Sequence, residues 1–226
     1  MASPHKKGVK GSKRLPALTS PDQPYAVFSI LRDLYPEADC ALIHRNPFEL
    51  LVATVLSAQT TDVGVNKVTP TLFNRWPTPQ ALSTADVYEV EQTIRTIGFF
   101  RTKAANIVAL SAQLIDDFGG EVPVDLDDLT TLPGVGRKTA HVVRGHAFKL
   151  PAITTDTHVM RLSRRLGWTK ESKPVPIEMD LATIFHPQDW MKMCDSLIWH
   201  GRAICKARKA DCEHCPLSHL CPAIGV

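Results

Sequence analysis

The chain of 226 residues is 44% hydrophobic and 22% charged, the composition of an ordinary globular protein long enough for one large domain or two small ones. No apolar run approaches the roughly 20 residues that a membrane span needs, and the basic start MASPHKKGVKGSKRLP has no apolar stretch behind it, which excludes a secretory signal. The net charge of +3 is unevenly placed: residues 1–14 hold five Lys/Arg and no acid, leaving the rest at −2, whereas residues 137–173 hold nine Lys/Arg against Asp156 and Glu171.

This balance excludes a uniformly basic nucleic-acid binder and predicts either one basic face that tracks phosphates or a set of solvated helix faces. Residues 1–19 read as a disordered basic tail, a nucleic-acid arm or plain solvated chain. The later elements read as helices. SPDQPYAVFSILRDLYP offers Ser20 as N-cap and sets Val27, Ile30, Leu31 and Leu34 on one face. RNPFELLVATVLSAQ has Asn46 as N-cap and Pro47 at the first helical position, and its apolar density marks a central, buried helix. TTDVGVNKVTPTLFNRW is another helix; TADVYEVEQTIRTIG ends at Gly98, and RTKAANIVALSAQLIDDFGG at Gly119–Gly120. DLDDLTTL and RKTAHVVRGHAF flank the turn LPGVG. DTHVMRLSRRLGW stops at Gly167, and MDLATIFHPQDWMKMCDSLIWHGRAIC runs in one or two helices to a cysteine-rich end. Strand signals are confined to short stretches such as PAITT.

LTTLPGVGRKTA predicts a short helix, a tight turn and a second helix. Gly134 and Gly136 can take conformations closed to other residues and let a partner approach the main chain. The first amides of the second helix are unpaired at the positive end of its dipole, an anion site suited to a nucleic-acid phosphate. It is not a nucleotide P-loop, because one residue separates the glycines and no strand precedes them. The chain ends on CKARKADCEHCPLSHLC, with Cys205, Cys212, Cys215 and Cys221 spaced by six, two and five residues. In a reducing compartment four thiolates at such spacing read as a metal centre, tetrahedral zinc or a [4Fe–4S] cluster, and chemistry alone does not choose. Cys40 and Cys194 lie outside the pattern and read as ordinary buried thiols. His141, His146 and His158 read as packing residues or phosphate contacts rather than metal ligands.

LPGVGRKTA followed by TTDTHVMR resembles the helix–hairpin–helix DNA glycosylase superfamily. The lysine, the eighteen-residue step to Asp156 and the cysteine tail narrow the likeness to the endonuclease III family, over about residues 20–222. SAQTTDVGVNKVTPTLF and IRTIGFFRTKAANI are similar to it as well, and the cysteine spacing matches its iron–sulfur pattern in every interval.

The resemblance implies an all-α, two-lobed fold: a six-helix barrel over residues 40–150, with the helix–hairpin–helix at about 125–148, and a helical [4Fe–4S] lobe from residues 20–39 and 151–226. It implies a bifunctional DNA glycosylase and abasic-site lyase acting on duplex DNA with oxidised pyrimidines or abasic sites, monomeric, cytoplasmic and nucleoid-associated, without contact with membrane. Lys138 matches the nucleophile and Asp156 the carboxylate that assists it and stabilises the charged sugar. A nucleophilic lysine must be neutral, and the helix start and Arg137 beside it both disfavour the ammonium form. Otherwise Lys138 is a phosphate contact and Asp156 a helix cap. An enzyme that acts on a base extrudes it from the stack. Gln59 matches the glutamine that fills the gap, and Phe99 and Phe100, in a loop after Gly98, match the wedge into the opposite strand. The family usually has an aliphatic residue there, so the aromatic pair also suits the core. Leu132, Gly134, Val135, Gly136, Arg137 and Thr139 of the hairpin, with Lys206, Arg208 and Lys209 of the first cysteine loop, are the further candidate DNA contacts. A superfamily member with another base specificity and a non-catalytic iron–sulfur DNA-damage binder are the alternatives. Adenine-specific members typically lack the lysine and carry an extra C-terminal domain, whereas this chain ends five residues past Cys221.

Overall fold

The computed structural model describes residues 20–226, so the expected basic tail at 1–19 lies outside the described residues. Among these residues there are eleven α-helices and no strand; PAITT runs without regular structure, and one antiparallel bridge pairs Cys205 with Ala210.

Helix α1 spans Gln23–Leu34 and starts two residues later than Ser20 as N-cap requires. Asp22 takes the cap position, and the Ser20 hydroxyl accepts the Asp22 N–H at 3.2 Å. Val27, Phe28 and Leu31 form its buried face; Leu34 is exposed. Helix α2, Pro47–Ser57, starts as its sequence predicts: the Asn46 side chain accepts the Glu49 N–H at 2.9 Å, and Glu49 in turn accepts the Arg45 N–H at 2.8 Å. Nine of its eleven residues are buried, because its apolar residues surround it rather than form one stripe.

The next helices are α3 Asp62–Arg75, α4 Pro79–Ser83, α5 Val87–Ile94, α6 Phe100–Phe118, α7 Leu126–Thr131 and α8 Arg137–Ala147. α6 ends where Gly119 and Gly120 turn left-handed, with the Gly120 N–H on the Leu114 carbonyl at 2.8 Å. α2 lies against α3, α6 and α8, and α6 against α4 and α5. Their inner faces share one apolar core, from Leu42 to Val143 in sequence. The chain then forms α9 Thr157–Arg165, α10 Pro174–Ile184 and α11 Trp190–Ala203. These pack with α1 around a second core that includes Val27, Leu31, Ile153, Leu162, Leu181 and Leu197. α1 reaches this core from far away in sequence: the Gln23 side chain accepts from the Trp168 indole at 2.9 Å and donates to the Leu220 carbonyl at 3.0 Å. The segments built on the two cores meet at α8 and α11, close enough at Gly145 that a Cβ there would collide with the Met191 sulfur. Two of the candidate residues, Lys138 and Asp156, line a cleft at this seam.

Candidate active site and metal centre

The hairpin joins α7 to α8. Asp125 caps α7 by accepting the Asp127 N–H at 2.8 Å, whereas Gly136, at the N-cap of α8, has no side chain to satisfy the first amides. These amides remain available to an anion. The two glycines differ in why they are needed. Gly134 has φ +78°, and a Cβ there would come 2.8 Å from Nδ2 of Asn106 on α6. Gly136 has φ −96° and open space around it, so its backbone does not demand glycine; what the missing side chain leaves is a bare approach to the helix start. Leu132 and Val135 are buried in the first core, so as DNA contacts they can offer main chain alone. Thr139 is half-buried one turn into α8.

Lys138 is the second residue of α8 and is exposed. Among the described residues it has no carboxylate within 4.0 Å. The like-charged neighbour expected to repel it is turned away: Arg137 makes a two-pronged bond to Glu178 of α10, at 2.6 and 2.9 Å. Burial opposes the Glu178 charge, but His141 beside it and the bonds from Arg137 hold its carboxyl down at about 2. Arg137 is thereby engaged with protein rather than free for phosphate. The wider basic segment is thinned in the same way, since Arg161 and Arg165 also turn inward, as described below.

Asp156 caps α9. Its Oδ1 accepts the N–H groups of His158 and Val159, both at 2.8 Å, and its Oδ2 has no protein partner among the described residues. Lys138 and Asp156 line one cleft of about 90 Å³ between α2, α8 and α11, so residues eighteen apart in sequence share a wall. At its rim Arg202 of α11 bonds Asp62 of α3 at 2.7 Å.

On the deep side of the cleft, buried His146 holds two carboxylates: Nδ1 lies 3.0 Å from Asp39, and Nε2 lies 3.5 Å from Asp195 of α11. Burial disfavours the charged ring, but Asp195 and then Asp39 outweigh it and raise the His146 pKa. A raised native pKa stabilises fully below the ordinary histidine value of about 6.5 and ceases to do so as pH rises through the native value. His146→Gln is therefore expected to cost stability at pH 6, with the gap to wild type narrowing towards pH 9 in urea unfolding. An equal gap at both pH values would show that the ring is not charged. His141 is also buried, beside Glu178 at 3.2 Å, and His158 shares a hydrogen bond with Arg161 at 3.1 Å. Cys194 is fully buried, and burial pushes its thiol up to about 12; Cys40, likewise raised to about 11, is half-buried and lines the cleft. Sequence reasoning missed Asp39, Asp195, Glu178 and the Asp62–Arg202 pair. Each depends on partners too distant in the chain to leave a local pattern.

Gln59 sits exposed in the turn between α2 and α3 with φ +53°, and Phe99 precedes α6 with φ +56° and is 66% exposed. The expected loop pair is divided. Phe100 is the first residue of α6 and packs on the first core, which leaves Phe99 alone in the turn.

The four cysteines line a cavity of about 610 Å³ between α9, α11 and the C-terminal segment. The Cys205 thiol accepts from Arg165 at 3.3 Å, the Cys221 thiol from the Ala223 N–H at 3.3 Å, and the Cys215 thiol lies 3.4 Å from His200 Nε2. Burial raises the Cys215 thiol, and it pushes Cys221 up to about 11; the neighbouring sulfurs add to this. Among the described residues, Asp39, His146 and Asp195 bring three ligand atoms within 4.8 Å of one another, and no three of the thiols do. A single zinc ion, with Zn–S near 2.3 Å, needs sulfurs about that close, so the wider ring suits a multi-iron cluster. Two arginines of α9 hold the first cysteine loop by its carbonyls: Arg161 bonds Cys205 at 3.0 Å, and Arg165 bonds Lys206 at 2.8 Å and Ala207 at 3.0 Å. Lys206, Arg208 and Lys209 stand exposed on that loop.

A family model described as HhH-GPD superfamily base excision DNA repair protein matches residues 52–187. The chain is 51% identical to the endonuclease III of Synechocystis sp. over 198 residues, 87% of this chain and 90% of that protein. It is 48% identical to the endonuclease III of Bacillus subtilis over 190 residues, 84% and 87% of the two chains. The solved structure of a trapped endonuclease III–DNA covalent intermediate, in an estranged-adenine complex, matches with a TM-score of 0.86 at 47% identity, covering 90% of this chain and 96% of that one. A thermostable thymine-DNA glycosylase, 23% identical with a TM-score of 0.80, has the same fold.

Proposed function

Because the chain belongs to the endonuclease III family of the HhH-GPD superfamily, a family of base excision repair DNA glycosylases, we propose that it removes oxidised pyrimidines from duplex DNA with Lys138 as nucleophile and then cuts the strand at the abasic site. The observation that carries this reading is the shared cleft of Lys138 and Asp156 beside the open amides of α8.

The flipped nucleoside enters between the two side chains. The neutral Lys138 amine attacks C1′, the C1′–N bond breaks, and the base leaves with the bonding pair and takes up a proton. Asp156 Oδ2 faces the positive charge that develops on the sugar. The cap bonds at Oδ1 hold that carboxylate still, so capping and catalysis are compatible. Opening of the sugar ring leaves a Schiff base between C1′ and Lys138, which acidifies the C2′ proton; its removal expels the 3′ phosphate, and water then releases the enzyme. The α8 amides, with the main chain at Leu132, Gly134, Val135 and Gly136 and the hydroxyl of Thr139, grip the backbone phosphates without reading sequence. Gln59 fills the space that the flipped base vacates, and Phe99 wedges into the opposite strand beside the unpaired partner base.

The two apolar cores are proposed to mark the barrel lobe and the cluster lobe, with DNA across their seam. Cys205, Cys212, Cys215 and Cys221 would hold a [4Fe–4S] cluster, which would supply a structural tie rather than a binding place for substrate. Arg161 and Arg165 brace the loop that presents Lys206, Arg208 and Lys209 to phosphate. On this reading the protein works as a monomer on the DNA of the nucleoid.

The test is incubation with duplexes carrying thymine glycol, an abasic site or no damage. Release of the damaged base and strand cuts on the first two duplexes alone support the reading; an intact thymine glycol duplex beside a cut abasic one would move it to a lyase or another base. Asp156→Asn, which preserves a capping oxygen, is expected to fold and bind damaged duplex while turnover falls on the order of 10²-fold or more. Unimpaired turnover would remove Asp156 from the mechanism.

A further inference from the structure

The turns that carry Gln59 and Phe99 are far apart in sequence and adjacent in space. A Cβ on Gly98 would lie 3.9 Å from the Thr60 hydroxyl and 4.0 Å from the Gln59 carbonyl. Each turn places a non-glycine residue in the left-handed region, a strained conformation that persists only where its surroundings hold it. Neither residue is held by its own side chain, since Gln59 and Phe99 are both exposed.

Lys103 supplies the restraint. It lies in the first turn of α6, is 4% exposed, and its backbone N–H donates to the Phe99 carbonyl at 3.0 Å. Its ammonium crosses to the other turn and donates to the Thr60 hydroxyl at 2.8 Å. This is a poor site for a cation. It is buried, it stands at the positive end of a 19-residue helix, and among the described residues no carboxylate lies within 4.0 Å. Burial accordingly lowers the pKa of this amine. A methylene-rich side chain alone would fill the space at lower cost, so the charged end matters for its bond to Thr60.

We infer that Lys103 is a positioning residue that clips the Gln59–Thr60 turn to the Gly98–Phe99 turn, so that the two side chains enter the duplex as one rigid unit. With one main-chain and one side-chain bond it fixes the separation of Gln59, on the side of the vacated stack, from Phe99, on the side of the unpaired partner base. The inference rests on the glycosylase reading above, in which these two side chains enter the DNA.

The test uses the cluster-loaded protein and a duplex with a reduced abasic analogue opposite 2-aminopurine, whose fluorescence rises when it is unstacked. Lys103→Met and Thr60→Val each break the clip from one side. Both are expected to weaken binding to this duplex about tenfold, or 1.4 kcal/mol, and to lose at least half of the fluorescence rise at saturating protein. Lys103→Arg, which keeps a donor in reach of Thr60, is expected to recover most of it. Saturated fluorescence equal to wild type in both variants would overturn the clip, as would a defect in Lys103→Met that Thr60→Val does not share. Thr60→Val leaves α6 untouched, so it remains informative if Lys103→Met does not fold. Base release and strand cutting by wild type report separately on the glycosylase reading: if wild type is inactive that reading fails, and if wild type is active while the variants are normal only the clip fails.

Discussion

Lys138→Gln is expected to abolish the covalent adduct that borohydride traps between wild-type protein and a duplex carrying thymine glycol or an abasic site, and to lower strand cutting on the order of 10³-fold or more. Glutamine has similar length and hydrogen-bonding capacity but no nucleophilic amine, so the change separates chemistry from contact. The rest of the site stays in place, because among the described residues Lys138 makes no ion pair whose loss would disturb α8, and Arg137 beside it is anchored independently on Glu178. Affinity for damaged duplex should therefore change only a few-fold. An adduct that persists in the variant would reduce Lys138 to a phosphate contact and send the search for the nucleophile elsewhere in the cleft. Arg137, expected from the sequence to stand as a free cation beside Lys138, is instead paired with Glu178 at 2.6 Å.

Cys215→Ser is expected to give a colourless protein that lacks broad absorbance near 400 nm and is destabilised by several kcal/mol, the scale of a lost structural metal or cross-link. The segment after α11 has little to hold it otherwise. It forms no helix, and Leu217 is its one buried hydrophobic residue. Without the group that the four thiols bind, the loop bearing Lys206, Arg208 and Lys209 keeps its bonds to Arg161 and Arg165 and the bridge between Cys205 and Ala210. DNA affinity should fall along with its dependence on salt. Metal analysis of wild type decides the identity of the group: iron and sulfide support the cluster, and a zinc-loaded, colourless protein would overturn it.

Several features were legible from the amino-acid order because they depend on near neighbours. The Asn46–Pro47 start of α2, its burial on all sides, the glycine end of α6 and the turn at Gly134 follow from capping, apolar period and backbone freedom, all set within one or two turns of chain. The hairpin lysine, the aspartate eighteen residues on and the four-cysteine spacing stood out instead by their resemblance to the endonuclease III family. Other features required the packed molecule. The division of Phe99 from Phe100 follows from which of two adjacent rings reaches the core, and the engagement of Arg137, Arg161 and Arg165 turned an apparent run of free positive charge into ties from α8 to α10 and from α9 to the cysteine loop. Arg137 meets Glu178 across 41 positions, Lys103 meets Thr60 across 43, and Arg202 meets Asp62 across 140. A local pattern fixes where a helix begins and which side of it is apolar. It carries no information about which distant polar group will face that helix, because that depends on how the two cores come together, and at their seam this chain sets its cleft.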